Sequence, residues 1–207
     1  YTGDSDKQRA GFSYLMLFKD GNRIDLTLFP VDKLGSNYQP ESLSIVWLDK
    51  DGLFAGLEPP SDKDHHITKP STKLFADTCN EFWWVCTYAA KGLTRGEITY
   101  AREITETTIR PMFMRIVEWY IGTETNFSVS AGKGGKFMRK YLQPEIYSKL
   151  LLTYSDAEIE RNKNSLLVMT ELFASLAKHT AGKLGFNYNI DDEVNVMGYL
   201  ESVFKDL

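Results

Sequence analysis

Residues 72–93 read TKLFADTCNEFWWVCTYAAKGL, and the spacing of their apolar side chains decides most of the fold. These side chains recur at intervals of four and three: Phe75, Cys79, Phe82, Cys86, Ala89 and Leu93. Such intervals bring side chains to one face of an α-helix, so the segment predicts an amphipathic helix that packs against a core. Ser71, directly before the segment, is a favourable N-cap residue.

The opposite side of the same predicted helix carries a mixed set of side chains: Asp77, Glu81, Trp84, Tyr88 and Lys91. One interpretation is that another helix packs over them, with the acids and the lysine placed to complement the helix dipole. The other is a binding surface, on which the carboxylates and aromatic faces bind a polycation and Lys91 binds an anion. The residue pattern leaves both interpretations open.

Two apolar runs upstream of this helix predict a β-hairpin. Residues 12–18 and 23–30 are rich in aromatic and branched side chains, and an Asp-Gly pair at positions 20–21 lies between them. An Asp-Gly pair between two such runs is a strong hairpin signal. A third short strand is predicted at residues 43–48, where the sequence is again apolar.

The second strand of this hairpin carries one carboxylate of interest, Asp25. Side chains alternate between the two faces of a strand, and here the two sets are Ile24, Leu26 and Leu28 against Arg23, Asp25 and Thr27. Asp25 therefore lies either on a solvated face or at a point where it binds a metal ion or a proton.

A proline-rich, charged stretch at residues 58–70 predicts a domain boundary, which gives two domains, residues 1–65 and 66–207. The sequence after the boundary has a helical pattern throughout. The helices are predicted at residues 72–93, 96–120 with an interruption at Pro111, 136–142, 144–154, from a capping box at 155–158 to about 180, and at 192–205. The predicted fold class is α+β, with a mixed or antiparallel sheet followed by a C-terminal helical bundle.

Composition excludes several classes of protein. No uncharged run in the 207 residues approaches the ~20 residues that a membrane helix needs, which disfavours a membrane protein. The net charge of −4 disfavours a protein that coats nucleic acid. Cys79 and Cys86 lie two helical turns apart, too far for a disulfide between them, and free thiols without an export signal predict a cytoplasmic protein.

Two further segments are similar to ligand-binding motifs without matching them. Residues 130–137, SAGKGGKF, are similar to a phosphate-binding loop, but Ser and Phe stand where that motif needs Gly and Ser or Thr. We interpret them as a basic turn that opens a helix. The pair His65-His66 would form a metal site only if carboxylates or a third histidine joined it, and the chain has one other histidine; we interpret the pair as part of a polar linker.

Several short segments, taken in order, resemble one known family. They are residues 18–28 (FKDGNRIDLTL), residues 79–83 (CNEFW), Tyr88 with Lys91-Gly92-Leu93, Arg110-Pro111, and Gly132-Lys133 with Lys136-Phe137-Met138. Together they resemble the aminoglycoside 6-adenylyltransferases, which are nucleotidyltransferases of the polymerase-β-like superfamily. The likeness extends from about residue 12 to the mid-180s.

The resemblance implies an enzyme that transfers AMP from ATP to the 6-hydroxyl of streptomycin with Mg²⁺ as cofactor, and so confers antibiotic resistance. It implies that Asp25 is the third metal-binding carboxylate and a catalytic residue. Under this reading Glu81 is the second catalytic candidate, and Lys91 binds the nucleotide phosphates; whether Asp25 or Glu81 is the base stays open. The remaining residues of the outward side are assigned to the aminoglycoside: Asp77, Trp84 and Tyr88.

The family also carries a Gly-Ser and an Asp-x-Asp motif on one strand before the position of Asp25, whereas the first ten residues of this chain are polar and carry no apolar strand pattern. We therefore expect the chain to lack that half of the active site and to be inactive alone. Two alternatives stay open, a related nucleotidyltransferase with another acceptor and a non-catalytic helical binding fragment. The expected partners are small molecules, not nucleic acid or a membrane, and the choice between monomer and homodimer is unresolved.

Overall fold

One two-stranded antiparallel sheet and seven α-helices make up the part of the chain that the structure, a computed structural model, describes: residues 11–34 and 40–205. Packing divides the chain into two compact units, Tyr1–Asp64 and His65–Leu207. The predicted α+β class is confirmed, since the sheet comes first and the helices follow. No helix within the described ranges is long and apolar enough to cross a bilayer.

The predicted hairpin is confirmed. Strand β1, Phe12–Leu17, pairs antiparallel with strand β2, Arg23–Leu28. The turn is closed by the Phe18 amide, which donates to the Asn22 carbonyl at 2.8 Å. The carboxylate of Asp20 accepts hydrogen bonds from both the backbone and the side chain of Asn22. These local bonds explain why the Asp-Gly signal was sufficient to predict the turn.

The predicted strand at residues 43–48 is wrong, because these residues form irregular backbone with no strand partner among the described residues. Apolar composition favours a strand only where a neighbouring strand supplies the hydrogen bonds. Here the backbone forms turns instead, with the Ser44 amide bonded to Glu41 at 2.9 Å and the Ser61 amide bonded to Ser42 at 2.7 Å. The Asp49 carboxylate then accepts two backbone amides and shapes the next turn.

The second unit is built from helices throughout. Their bounds are α1, Thr72–Thr94; α2, Ile98–Ile104; α3, Arg110–Glu124; α4, Met138–Tyr141; α5, Pro144–Leu152; α6, Ile159–Leu184; and α7, Ile190–Lys205. A π turn, Thr105–Ile109, joins α2 to α3, and short 3₁₀ turns occur at Val31–Lys33, Lys63–His65 and Lys133–Gly135.

Helix α1 lies at the centre of this unit and packs against α2, α3, α6 and α7. It begins as predicted, with the Ser71 hydroxyl accepting the Leu74 amide at 3.1 Å. Its apolar face is buried, and the Phe82 ring stacks on Phe173 of α6 with centroids 3.6 Å apart. Cys79 and Cys86 are both free and buried in this interface, as their spacing predicted.

The predicted interruption of the second long helix lies earlier than Pro111. The Arg110 amide bonds to the Thr105 carbonyl, which is the five-residue step of a π turn, and Pro111 occupies the first turn of α3. Proline lacks the N–H that a continuing α-helix would use, and a helix start needs no such donor. The π turn therefore comes before the proline, so that Pro111 lies in the first turn of the next helix, where no N–H is needed.

The predicted capping box at residues 155–158 is also wrong. Helix α6 begins at Ile159, and its N-cap Glu158 makes no side-chain capping bond. Instead the Asp156 carboxylate accepts the Glu158 amide at 2.9 Å, and the Asn162 amide group donates to the carbonyls of Asp156 and Glu158. At the other end, Gly185 adopts the left-handed conformation that commonly ends a helix.

Arg110 fixes the start of α3 to the end of α5 from a buried position. Its guanidinium donates to the hydroxyl of Thr153 at 2.6 Å and to the Thr153 carbonyl at 2.8 Å. It also pairs with Glu106 at 3.2 Å and lies 4.0 Å from the centroid of the Tyr154 ring. Every polar end of this guanidinium that the structure buries thus has a partner.

Replacement of Arg110 should therefore destabilise the helical unit strongly. We expect Arg110→Ala to lower the free energy of unfolding by about 3 kcal/mol, because the buried Thr153 carbonyl loses its hydrogen-bond donor and the packing of the guanidinium is lost. Chemical denaturation monitored by circular dichroism measures this change. Arg139→Ala, at an exposed position of α4, is the matched control and should change stability little. Equal effects of the two substitutions would contradict the assignment.

Candidate functional site

Five side chains predicted to share one side of α1 do so in the structure. We call Asp77, Glu81, Trp84, Tyr88 and Lys91 the α1 outer surface. All are exposed except Tyr88, which is half-buried, and Trp84 keeps 60% of its surface accessible. Among the described residues no helix packs over this surface. The interpretation in which a second helix covers it is therefore not supported.

The two aromatic residues of the α1 outer surface hold each other in a fixed arrangement. The indole Nε1–H of Trp84 donates to the Tyr88 hydroxyl at 2.8 Å, and their ring centroids are 6.2 Å apart at 70°. The Nζ of Lys91 lies 6.0 Å from the Tyr88 ring centroid. Because the Tyr88 oxygen accepts the indole proton, its own O–H remains able to donate to a ligand. The exposed indole face of Trp84 can bind a cation.

The two acids of the α1 outer surface differ in their surroundings. Asp77 forms an ion pair with Lys73, one turn earlier on the helix. Glu81 forms no hydrogen bond or ion pair within the described residues. Its carboxylate lies about 6 Å along the helix axis from Asp77 and one turn from Trp84. Glu81 is therefore the anionic group of this surface that is most available to a cationic or hydroxyl-bearing ligand.

Asp25 belongs to the first unit, and its carboxylate is already engaged. Both of its oxygens accept hydrogen bonds of 2.9 Å from the guanidinium of Arg23, and both side chains are exposed. In the described ranges, no group of three Asp, Glu, His or Cys side chains is arranged to hold a metal ion. Mg²⁺ prefers several oxygen ligands, so the described residues do not form a magnesium site by themselves.

The buried thiols of α1 are poor candidates for chemistry. Burial raises the pKa of Cys79 to about 12 and raises that of Cys86 as well. A reactive cysteine needs a lowered pKa and some exposure, because the thiolate is the nucleophile. Neither cysteine meets these conditions, so both serve the core.

A cavity of about 650 Å³ that was not predicted from the sequence lies in the helical unit, beside Leu74 in the first turns of α1. Lys69, Arg115 and Lys133 line it together with Glu118. Burial raises the pKa of the Glu118 carboxyl, and the nearby charge of Arg115 partly opposes this rise. These side chains come from three elements that are distant in sequence, so no local pattern could have joined them.

Comparison with known proteins gives one consistent result. The family model described as streptomycin adenylyltransferase matches residues 2–203 of this chain. The chain is 36% identical over 194 residues to an aminoglycoside 6-adenylyltransferase of Bacillus subtilis (strain 168), covering 93% of this chain and 68% of that protein. It is 37% identical over 183 residues to one of Campylobacter jejuni, covering 88% and 64%.

A solved structure agrees with these sequence matches. The crystal structure of an aminoglycoside 6-adenyltransferase from Bacillus subtilis matches with a TM-score of 0.62 and 33% identity, over 96% of this chain and 73% of that chain. The chain thus spans about two thirds of the length of the curated relatives it matches. On the residues matched and the identity found, the chain belongs to the streptomycin adenylyltransferase family, whose curated relatives are aminoglycoside 6-adenylyltransferases, a family of nucleotidyltransferase enzymes.

Proposed function

We propose that this chain forms the acceptor-binding part of an enzyme that transfers AMP from ATP to the 6-hydroxyl of streptomycin. The observation that carries the proposal is the unpaired carboxylate of Glu81 beside the exposed Trp84–Tyr88 pair. Streptomycin carries two guanidinium groups, which match a carboxylate in bidentate geometry and stack on aromatic faces. The names of the family and of the relatives support the same acceptor class.

Within this proposal Glu81 binds the acceptor and takes the proton of the acceptor hydroxyl as that oxygen forms a bond to the α-phosphorus of ATP and the bond from this phosphorus to pyrophosphate breaks. An ionised carboxylate within hydrogen-bonding distance of the hydroxyl can do both. Trp84 and Tyr88 contact the aminoglycoside rings and guanidinium groups, and Asp77 adds a second negative charge at the same end of the surface. These roles require the aminoglycoside to lie along the N-terminal two thirds of α1.

Lys91 is proposed to bind the phosphates of ATP. It follows Glu81 by ten residues, which is about 15 Å along a helix. That separation is large enough to keep a cationic acceptor and an anionic nucleotide on different parts of one surface. Lys91 makes no ion pair within the described residues, so its charge is available to a phosphate.

Asp25 is proposed as one carboxylate of the Mg²⁺ site that serves ATP in the complete enzyme. Since the described residues supply no group of three ligands, the other carboxylates must come from outside them. The ion pair between Asp25 and Arg23 would then have to break, or the Asp25 carboxylate would have to bind Arg23 and Mg²⁺ at the same time. Both groups are exposed, so opening the pair disturbs no packing. We propose a cytoplasmic location, where ATP is supplied and buried thiols stay reduced.

The acceptor and nucleotide roles are tested by a crossed pair of substitutions. The test protein is an enzyme in which this chain replaces the matching part of the Bacillus subtilis relative. Glu81→Gln should lower kcat/KM for streptomycin about 30-fold, equivalent to ~2 kcal/mol, with little change in the KM for ATP. Lys91→Ala should raise the KM for ATP more than that for streptomycin. Steady-state kinetics with each substrate varied in turn measure both effects.

The control for this pair is Glu171→Gln, at an exposed position of α6 far along the chain from α1. It should leave both kinetic constants near their original values. Unchanged streptomycin kinetics in Glu81→Gln would show that Glu81 does not bind the acceptor. A larger effect of Lys91→Ala on the KM for streptomycin than on the KM for ATP would show that Lys91 does not bind the nucleotide.

A catalytic role of Asp25 is distinguished from a structural one by measuring turnover and thermal stability on the same variants. In the same enzyme, Asp25→Asn should abolish most turnover and leave the Tm nearly unchanged. An amide keeps the shape but not the charge that Mg²⁺ needs, whereas an exposed ion pair contributes little to stability. Arg23→Gln breaks the same pair from the other side and should retain far more activity. Near-normal turnover of Asp25→Asn, or a loss explained by unfolding, would contradict the catalytic role.

A further inference from the structure

The outward side of α7 carries exposed residues at a regular helical spacing. Intervals of three and four residues place side chains on one face of a helix. Five exposed residues of α7 follow one another at these intervals, and we call them the α7 outer face: Asp191, Val194, Gly198, Glu201 and Lys205. The other side of α7 packs against α1 and α6, where Leu200 is fully buried. In the part of the chain that the structure describes, the α7 outer face is left uncovered.

Gly198 lies at the centre of this face, and the packing of its own unit does not require a glycine there. A glycine inside a helix weakens that helix relative to alanine. At Gly92 the packing does require it, because a Cβ would lie 2.9 Å from the Tyr100 ring. A Cβ at position 198 would have no packed neighbour within 4 Å among the described residues. The missing side chain leaves a shallow groove on α7 that allows a second helix to approach closely.

Two charged residues of the α7 outer face are placed symmetrically about Gly198. Asp191 precedes Gly198 by seven residues and Lys205 follows it by seven, so each lies about 10 Å from it along the helix axis. Neither side chain forms an ion pair within the described residues. The two ends of the face thus carry opposite charges that the unit itself does not pair.

We propose that the α7 outer face joins two copies of this chain, with their α7 helices antiparallel and a two-fold axis at Gly198. A two-fold contact uses the same surface on both copies, so each contact across it occurs twice. In this register Asp191 of each copy faces Lys205 of the other. The helix dipoles also run in opposite directions, which brings each N-terminus beside a C-terminus. A parallel pair would instead place like charges together at both ends.

The other residues of the α7 outer face fit the same register. Val194, which is 62% exposed, lies one turn before Gly198 and can reach the groove of the second copy. Glu201 faces Asn195, an exposed residue whose amide can donate to the carboxylate. One helix face per copy is smaller than the surface of about 800 Å² that each partner buries in a standard interface, so the dimer is weak and reversible. The inference goes beyond the proposed transfer reaction and does not depend on it.

Analytical ultracentrifugation of the 207-residue chain between about 1 μM and 1 mM tests the proposal. We expect a dimer that forms with rising concentration. Asp191→Lys and Lys205→Glu should each weaken it about tenfold or more, because each turns two attractive pairs into two repulsive ones. The double variant should regain the dimer, since the pairs are restored with their signs exchanged. Lys149→Glu, at an exposed lysine of α5, makes the same charge change as Lys205→Glu and should have no such effect.

Two further samples test the register itself. An equimolar mixture of Asp191→Lys and Lys205→Glu should associate where each variant alone does not, because both ends of the mixed pair then carry opposite charges. Gly198→Gln fills the groove and should weaken the dimer without lowering the Tm, because glutamine favours a helix more than glycine does. Circular dichroism verifies that each variant is folded.

The outcomes that overturn the proposal are equally specific. A chain that stays monomeric at about 1 mM has no such interface. Association that the α7 variants leave unchanged takes place through another surface. Association that Lys149→Glu weakens as much as Lys205→Glu does, or that the double variant fails to restore, depends on net charge rather than on the pairing of Asp191 with Lys205.

Discussion

The burial of α1 by its neighbours is the constraint on which the candidate site depends. Four helices pack around it and bury 11 of its 23 residues, all on one side. Once those contacts exist, the strip on the opposite side of the helix is left to face solvent. The side chains of that strip cannot rotate into the core, since the core is closed by Phe82, Trp83 and Phe173. A rigid element therefore presents the five residues of the α1 outer surface in a fixed order.

The charge of the side chains on this surface changes from negative to positive along α1. The acids occupy the N-terminal half of the strip, the Trp84–Tyr88 pair occupies the middle, and Lys91 lies near the C-terminal end. A polycation and a polyanion would be drawn to opposite ends of such a strip, with the aromatic pair between them. The hydrogen bond between Trp84 and Tyr88 reduces the rotamer freedom that a ligand would otherwise have to restrict. The surface is thus arranged before any ligand arrives.

The sequence predicted this surface because helical periodicity is a local property. The hairpin was predictable for the same reason, since Asp20 and Gly21 determine their own turn. The strand at residues 43–48 was not, because a strand needs a partner that no local pattern reveals. The π turn and the start of α6 depend on Arg110 and Asn162, whose partners were unknown from sequence. The cavity at Lys133 was missed because it depends on packing between distant segments.

Streptomycin binding to the α1 outer surface can be tested within one molecule by the two adjacent tryptophans of α1, Trp83 and Trp84. The indole N–H of Trp84 lies on that surface, whereas the indole N–H of Trp83 donates to Tyr188 at 3.1 Å beneath it. The ¹H–¹⁵N signals of both indoles can be followed by NMR during a streptomycin titration, with Trp84→Phe used for assignment. If streptomycin binds this surface, the Trp84 signal shifts saturably and the Trp83 signal stays nearly constant. A Trp84 signal that does not move at saturating streptomycin would contradict binding at this surface.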